Sequence, residues 1–268
     1  MNVKEIGFKQ FFDMYKHPSA AFFRAVELKT IFDNLRNESF SSPSLDVGCG
    51  DGRIAKLLFT EKFSYGLDNG EAKDVEAAVK NHIYGQVLLE SAERISLPDD
   101  SLRFVFSNCV LEHIPDNRSV LREISRILTR NGDFVFTVPS HHFSEYLYLT
   151  DKLFSAGLGA FSRFYKYRRN KMLNQFHCYS IQDWKTRLAA FGFSIEAYQY
   201  YMSKEALMLW DRMALEIFFT KIVVGDKAMK RTTAANYKKM HELYVRGLRD
   251  PEEGAAVFIW CKKTSDGR

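Results

Sequence analysis

Cysteine is scarce and scattered: Cys49, Cys109, Cys178 and Cys261 are the only four in 268 residues, and no two form a C-x-x-C pair. That spacing excludes a zinc knuckle and a disulfide framework, and a reducing cytoplasmic setting is expected. No run of about 18 uninterrupted apolar residues occurs, and the N-terminus carries no charged-then-apolar leader, so neither a membrane span nor a secretion signal is expected. Histidines and carboxylates nowhere cluster at metal-ligand spacing, and no metal is expected. Charge of one sign is also lacking. With 38 Lys+Arg against 33 Asp+Glu the formal net charge is only +5, which admits an anionic partner without indicating nucleic acid. Internal repeats and low-complexity tracts are absent too. What the chain has is apolar residues, 46% of the total, enough to bury the core of one large domain with elaborations.

The richest stretch is Ser44-Leu45-Asp46-Val47-Gly48-Cys49-Gly50-Asp51-Gly52-Arg53. An apolar run that reads as a buried strand ends in three closely spaced glycines, and a helix start follows. Gly48, Gly50 and Gly52 permit backbone angles and a close ligand approach that a Cβ would block, while the helix N-terminus presents free N–H groups. Ser64-Tyr65-Gly66-Leu67-Asp68-Asn69 is a second short strand ending in an acid, with Asp68 placed 20 residues after Gly48. In doubly wound sheets a carboxylate there holds a ribose diol. The dinucleotide fingerprint needs its third glycine where Arg53 stands, which argues against a pyrophosphate and an NAD-dependent oxidoreductase. A nucleoside with a different tail fits better.

Apolar runs and helical stretches alternate through the first half of the chain. Strands are predicted near 43–47, 64–68, 84–89, 104–107 and 133–138, with helices at 52–60, 71–81 and 117–128. This alternation means a parallel sheet with ligands at the carboxyl ends of its strands, where Gly48, Asp68, Ser91, Asn108 and Pro139 fall. Residues 8–36 read as helix, forming an N-terminal cap over 1–40 from which Tyr15, Arg24 and Glu27 could reach a ligand.

Four motifs in order carry a resemblance: Asp46-Val47-Gly48-Cys49-Gly50-Asp51-Gly52, Ser91-Ala92-Glu93, Leu97-Pro98-Asp99-Asp100-Ser101, and Ser107-Asn108-Cys109-Val110-Leu111-Glu112-His113-Ile114. They resemble the successive motifs of class I S-adenosylmethionine-dependent methyltransferases of the small-molecule branch, over roughly 40–140 and again from about 177 to 200. The resemblance implies a Rossmann-like α/β fold: a seven-stranded, mostly parallel sheet with helices on both faces, an antiparallel last strand, and helical lid insertions. It implies a single methyltransferase domain over 1–268 with its cofactor-binding core at 41–140, and S-adenosyl-L-methionine as cofactor, released as S-adenosyl-L-homocysteine. By the same resemblance Gly48, Cys49, Gly50 and Gly52 hold the methionine end, and Asp46 supports that loop or the bound ammonium. Asp68 accepts from the ribose, Asn69 lies beside the adenine, and Ser91, Ala92 and Glu93 border the ring. Asn108 and Cys109 sit beneath the sulfonium. Two departures stand out. Ser91 occupies a position usually held by an acid, and a serine is a weaker acceptor; Leu102-Arg103 stands where Phe-Asp is common.

Beyond His141 the composition shifts. Nine of the 36 residues from 141 to 176 are aromatic, against 15% in the whole chain, so residues 141–180 are read as an aromatic, basic lid over the site. Within it, Arg163-Phe164-Tyr165-Lys166-Tyr167-Arg168-Arg169-Asn170-Lys171 mixes five basic residues with three aromatics. Such a mixture suits a phosphorylated or lipid-linked substrate first, with peripheral membrane contact through 161–171, and single-stranded nucleic acid last. A second helical insertion is read at 203–253, with an apolar helix from Glu205 and a basic one over 227–249, before a last strand at 255–261. Methyl transfer to a hydroxyl needs alignment and proton removal. A base with a pKa near neutrality serves, which makes His113, His141, His142 and His177 the candidates. An oxygen or nitrogen of a small or lipid-linked acceptor is therefore expected. The competing reading is a non-catalytic cofactor-binding or assembly protein that uses its helical insertions as an interface.

Overall fold

The computed structural model describes residues 1–70, 72–225, 227–248 and 252–264. Residue 71, where the predicted helix 71–81 begins, and residues 249–251, at the close of the predicted basic helix and within the second insertion, lie outside them. Among the described residues the strands are β1 (Ser44–Val47), β2 (Phe63–Asp68), β3 (Tyr84–Leu89), β4 (Leu102–Asn108), β5 (Leu128–Pro139), β6 (Phe193–Tyr201) and β7 (Ala256–Lys263). They form one sheet in the order β3-β2-β1-β4-β5-β7-β6. Strands β1 to β5 pair in parallel, and β7 runs antiparallel between β5 and β6. The last strand is thus inserted inside the sheet, and β6 is the edge. Strand order reverses between β1 and β4, whose carboxyl ends open the crevice that such sheets use for ligands.

Alternation along the strands divides the core into two layers. Phe104 and Phe106 of β4 face one layer and Val105 the other, all fully buried. The first layer is covered by α1 (Phe8–Met14), α2 (Pro18–Leu35), α3 (Arg53–Leu58), α4 (Ala72–Lys80), α9 (Lys204–Val224) and α10 (Lys227–Arg246). The second is covered by α5 (Asn117–Ile127) and α8 (Ile181–Ala189). Ser180 caps α8: its hydroxyl receives the Asp183 N–H at 3.2 Å, while the Asp183 carboxylate receives the Ser180 N–H at 3.0 Å.

The helix read over 8–36 is two helices. Pro18 takes the first position of α2, where no amide hydrogen is needed, and its ring breaks the preceding turn. Between β5 and α8 stand α6 (Tyr148–Ser155) and α7 (Gly159–Met172). Their anchor is a buried ion pair, with the Arg169 guanidinium 2.7 Å from Asp211 of α9 and the Tyr165 hydroxyl donating to the same carboxylate at 2.8 Å. Among the described residues no helix is long and apolar enough to cross a membrane.

Candidate active site

The loop after β1 carries all three of its glycines at positive φ: +73° at Gly48, +50° at Gly50 and +74° at Gly52. A Cβ on Gly48 would stand 2.2 Å from Val110 Cγ2, and one on Gly52 2.9 Å from the Tyr84 ring, whereas one on Gly50 would meet nothing within 4 Å. Packing therefore demands the outer two, and the middle glycine faces an open cleft with bare main chain. At the end of β2, Asp68 receives the Gly50 N–H at 2.8 Å and the Gly70 N–H at 2.7 Å, which fixes the carboxylate at the rim of that cleft. Asp46 lies beneath the loop, where the Tyr84 hydroxyl donates to it at 2.6 Å. Burial pushes the Asp46 carboxyl up to about 7 in spite of that donation. Cys49 is buried below the same loop, and burial pushes its thiol well up.

Three clefts meet at the end of β4. The first runs over Gly48, Gly50, Asp46, Cys49 and Asn108 and is flanked by Arg24 and Arg53. The second runs over Asp68, Asn69, Ser91, Ala92 and Glu93, with Val110 and His113 opposite. The third lies between α2, the lid and α9, lined by Ser19, Phe23, Arg24, Cys109, Glu112, His113, Phe143, Leu173, Gln175 and Trp210 among others. Its volume of about 230 Å³ is smaller than the roughly 300–1,000 Å³ of sites for drug-sized ligands. It admits a small molecule or the reactive end of a longer one. Cys109 and Arg24 border the first and third clefts, Val110 the first two, and His113 the second and third.

Behind the junction is a buried network centred on Glu27 of α2, which is fully shielded from solvent. Arg24 pairs with one carboxylate oxygen of Glu27. The other receives the Cys109 thiol at 2.9 Å, the Thr137 hydroxyl at 3.1 Å and the Tyr201 hydroxyl at 2.8 Å. Arg24 also donates to Asn108 Oδ1 at 2.8 Å, and Asn108 in turn donates to Thr137 at 2.6 Å. The network joins α2 to β4, β5 and β6 and holds Cys109 at φ +53°, a conformation that non-glycine residues keep only when their surroundings impose it. Burial raises the Cys109 thiol well above its ordinary range, and the adjacent Glu27 adds to the rise, so it stays protonated and serves as a donor.

The four histidines of the sequence reading are distributed unevenly. His113 lies at the junction, with Nδ1 3.1 Å from the Asn174 carbonyl and Nε2 3.7 Å from Glu112. His177 has both ring nitrogens engaged: Nε2 donates to the carbonyls of Ile114 and Pro115 at 3.1 and 3.0 Å, and Nδ1 accepts from the Tyr179 hydroxyl at 2.8 Å. It ties the lid to the loop after β4. His141 and His142 stack on each other with ring centres 3.8 Å apart, and His142 stacks on Tyr146; neither lines the three clefts.

A further titratable group at the third cleft is Glu112, in the motif that follows β4. Glu112 is 3% exposed, its Oε2 has no hydrogen-bond partner, and burial pushes its carboxyl up to about 8. Gln175 Oε1 is likewise buried without a partner. Both residues line the third cleft, and each has a buried side-chain oxygen with no hydrogen-bond partner. An acid isolated between Leu111 and His113 in the loop after a central strand was the available signal for Glu112. Gln175 and Trp210 come from distant segments and had no local signal.

Residues 45–136 match the model of a methyltransferase domain. Among curated proteins, an uncharacterised methyltransferase of Schizosaccharomyces pombe is 34% identical over 110 residues, which cover 37% of this chain and 40% of that protein. The chain covers between 20% and 53% of the lengths of the curated relatives it matches. Of solved structures, a putative sarcosine dimethylglycine methyltransferase from Galdieria sulphuraria has a TM-score of 0.57 at 14% identity, covering 91% of this chain and 86% of that one. A phosphoethanolamine N-methyltransferase from Haemonchus contortus, held with phosphomonomethylethanolamine and S-adenosylhomocysteine, has a TM-score of 0.56 at 15% identity, covering 97% of this chain and 61% of that one. At such identities the likeness is one of fold.

Proposed function

We propose that this chain, whose residues 45–136 match the model of a methyltransferase domain, is a class I S-adenosylmethionine-dependent enzyme that methylates an oxygen or nitrogen of an acceptor held between α2 and the lid. The acceptor is a small molecule or the end of a lipid-linked one. The observation that carries this reading is the junction of the three clefts at Cys109 and Val110, two of them suited to a nucleoside with an amino-acid tail and the third to a separate small reactant.

The residues fit the cofactor. Gly50 offers bare main chain, Asp68 a fixed carboxylate for a ribose diol, and Arg24 and Arg53 cations at the end where a carboxylate would lie. At the other end Glu93 accepts from the Ser91 hydroxyl at 3.1 Å, which places a carboxylate beside the serine that departs from the usual acid. When bound, S-adenosylmethionine supplies an electrophilic methyl group and departs as S-adenosylhomocysteine. The chain's own contribution is alignment and proton removal. The Glu27 network fixes Arg24, Asn108 and Cys109 at the junction, and reactant alignment of this kind supplies a large share of rate acceleration. Glu112 Oε2 takes the proton of the acceptor's hydroxyl or ammonium group, with Gln175 Oε1 orienting the same donor. A carboxyl near 8 is protonated at neutral pH and becomes a base of well-matched strength once ionised.

Glu112→Gln should therefore lower turnover by at least about a hundredfold while leaving S-adenosylhomocysteine affinity within twofold or so of wild type. The measurement is incorporation of a labelled methyl group from S-adenosylmethionine into a metabolite and lipid extract. In wild type, kcat/KM should climb with pH and level off above about 8, because only the ionised carboxylate accepts a proton. Undiminished turnover in Glu112→Gln, or a flat pH profile, would rule the role out. A second reading, a non-catalytic binder, draws on Phe218 and Phe219, exposed on α9 within the second insertion. It requires cofactor binding with no methyl transfer to any fraction of the extract, so the same assay separates the two.

A further inference from the structure

We propose that the outer face of α7 is a docking surface for an anionic lipid bilayer. Helix α7 is inverted relative to an ordinary surface helix, which turns its apolar stripe inward. Its inward face is polar: Ser162 donates to the Thr150 carbonyl at 2.9 Å, and Tyr165 and Arg169 bind Asp211. Its outward face carries Phe161, Phe164, Tyr167 and Met172, each at least 62% exposed. Phe154 and Leu158, at the end of α6 and the turn before α7, extend the patch and are 74% and 46% exposed. Contiguous exposed apolar surface of this kind marks a place covered by something else.

The charges on that face choose the partner. Arg163, Arg168 and Lys171 are exposed on the same helix as these aromatics, and residues 159–172 contain no aspartate or glutamate. Among the described residues these three make no ion pair, whereas Lys166 and Arg169 are neutralised by Glu145 and Asp211. Aromatic rings that enter the headgroup boundary, surrounded by cations that meet lipid phosphates, are the chemistry of interfacial helices. A nucleic acid would need a groove that follows its backbone, and α7 offers a single helix face. The placement also has a use. Leu173 and Gln175, immediately past the end of α7, line the acceptor cleft, so a lipid-linked acceptor would reach the junction from the docked side. The docking surface itself does not depend on the catalytic reading.

The test is co-sedimentation of the full chain with vesicles of phosphatidylcholine alone and of phosphatidylcholine with phosphatidylglycerol, at low and high salt. Two variants accompany wild type, Phe161→Ser with Phe164→Ser, and Arg163→Gln with Arg168→Gln and Lys171→Gln. All the substituted side chains are exposed, so both variants should melt as wild type does. Wild type should partition onto the phosphatidylglycerol vesicles in preference to the neutral ones and lose that preference as salt rises. Each variant should bind at least about tenfold more weakly, with S-adenosylhomocysteine affinity unchanged. Three results would overturn the proposal: no binding to anionic vesicles, equal binding by wild type and both variants, or capture of a single-stranded oligonucleotide or self-association through this face without vesicle binding. Because cofactor affinity is read separately, failure here leaves the catalytic reading standing, and the reverse holds as well.

Discussion

Glu27→Leu is expected to lower folding stability by about 3–5 kcal/mol, the cost of removing one partner from a buried ion pair. Leucine fills much of the same volume but accepts nothing. It would strand the Arg24 guanidinium, the Tyr201 and Thr137 hydroxyls and the Cys109 thiol, all of which now donate to this carboxylate. The Arg24 side chain retains 27% exposure, so the effect should lie toward the lower end. At roughly 2–4 °C per kcal/mol for a chain of this size, the melting temperature should drop by about 6–12 °C. Arg24→Leu combined with Glu27→Leu should recover part of that loss, since no stranded charge remains. Equal melting temperatures for wild type and Glu27→Leu would remove the network from the stability of the fold. The pH dependence has a definite sign. Burial alone would raise the Glu27 carboxyl, but Arg24 beside it and the donations from Cys109 and Tyr201 hold it below its ordinary value of 4.5. Its contribution is present above that value and is lost as pH falls through the lower, folded one.

Gly48→Ala and Gly50→Leu should fail in opposite ways. At Gly48 the new methyl group would meet Val110 Cγ2 at 2.2 Å on a backbone at φ +73°. Overpacking and left-handed strain together should cost about 2–4 kcal/mol. At Gly50 the strain alone applies, about 1–2 kcal/mol at φ +50°, because nothing lies within 4 Å of the new Cβ. The leucine side chain would instead fill the open cleft. Gly50→Leu should stay folded and lose at least about a hundredfold in affinity for S-adenosylhomocysteine, some 2.8 kcal/mol. Thermal melts and ligand titration on both variants read the two effects apart. If Gly50→Leu binds as wild type does, no ligand lies on that main chain.

The core was legible because its signals are local. Alternating apolar runs place β1 to β5 within a few residues of where they stand, and the spacing of Gly48, Gly50, Gly52 and Asp68 marks the loop and the rim carboxylate. Two features required tertiary information. The break before Pro18 was obscured by apolar residues that keep helical spacing on both sides of it. The insertion of β7 between β5 and β6 depends on pairing of β7 with β5 between residues 117 to 129 apart. The chemistry of the third cleft was least legible. Glu112 differs from a surface acid only in its burial, in a cleft it shares with Phe143, Gln175 and Trp210 from three remote segments. Histidines were the natural candidates from their ordinary pKa, yet in the fold His177 is held by three hydrogen bonds and the pair His141 and His142 stacks outside the clefts. The polarity of α7 was unreadable for a related reason. Its basic and aromatic residues are plain in the sequence, but which set faces inward is decided by Asp211 on α9.

The most direct measurement is calorimetric titration of the full chain with S-adenosylhomocysteine, in wild type and in Asp68→Ala. The expected result is saturable one-to-one binding by wild type, weakened roughly tenfold or more in Asp68→Ala through loss of a charged acceptor. No heat of binding in wild type, or the same affinity in both proteins, would contradict a nucleoside site built on the Gly48 to Gly52 loop.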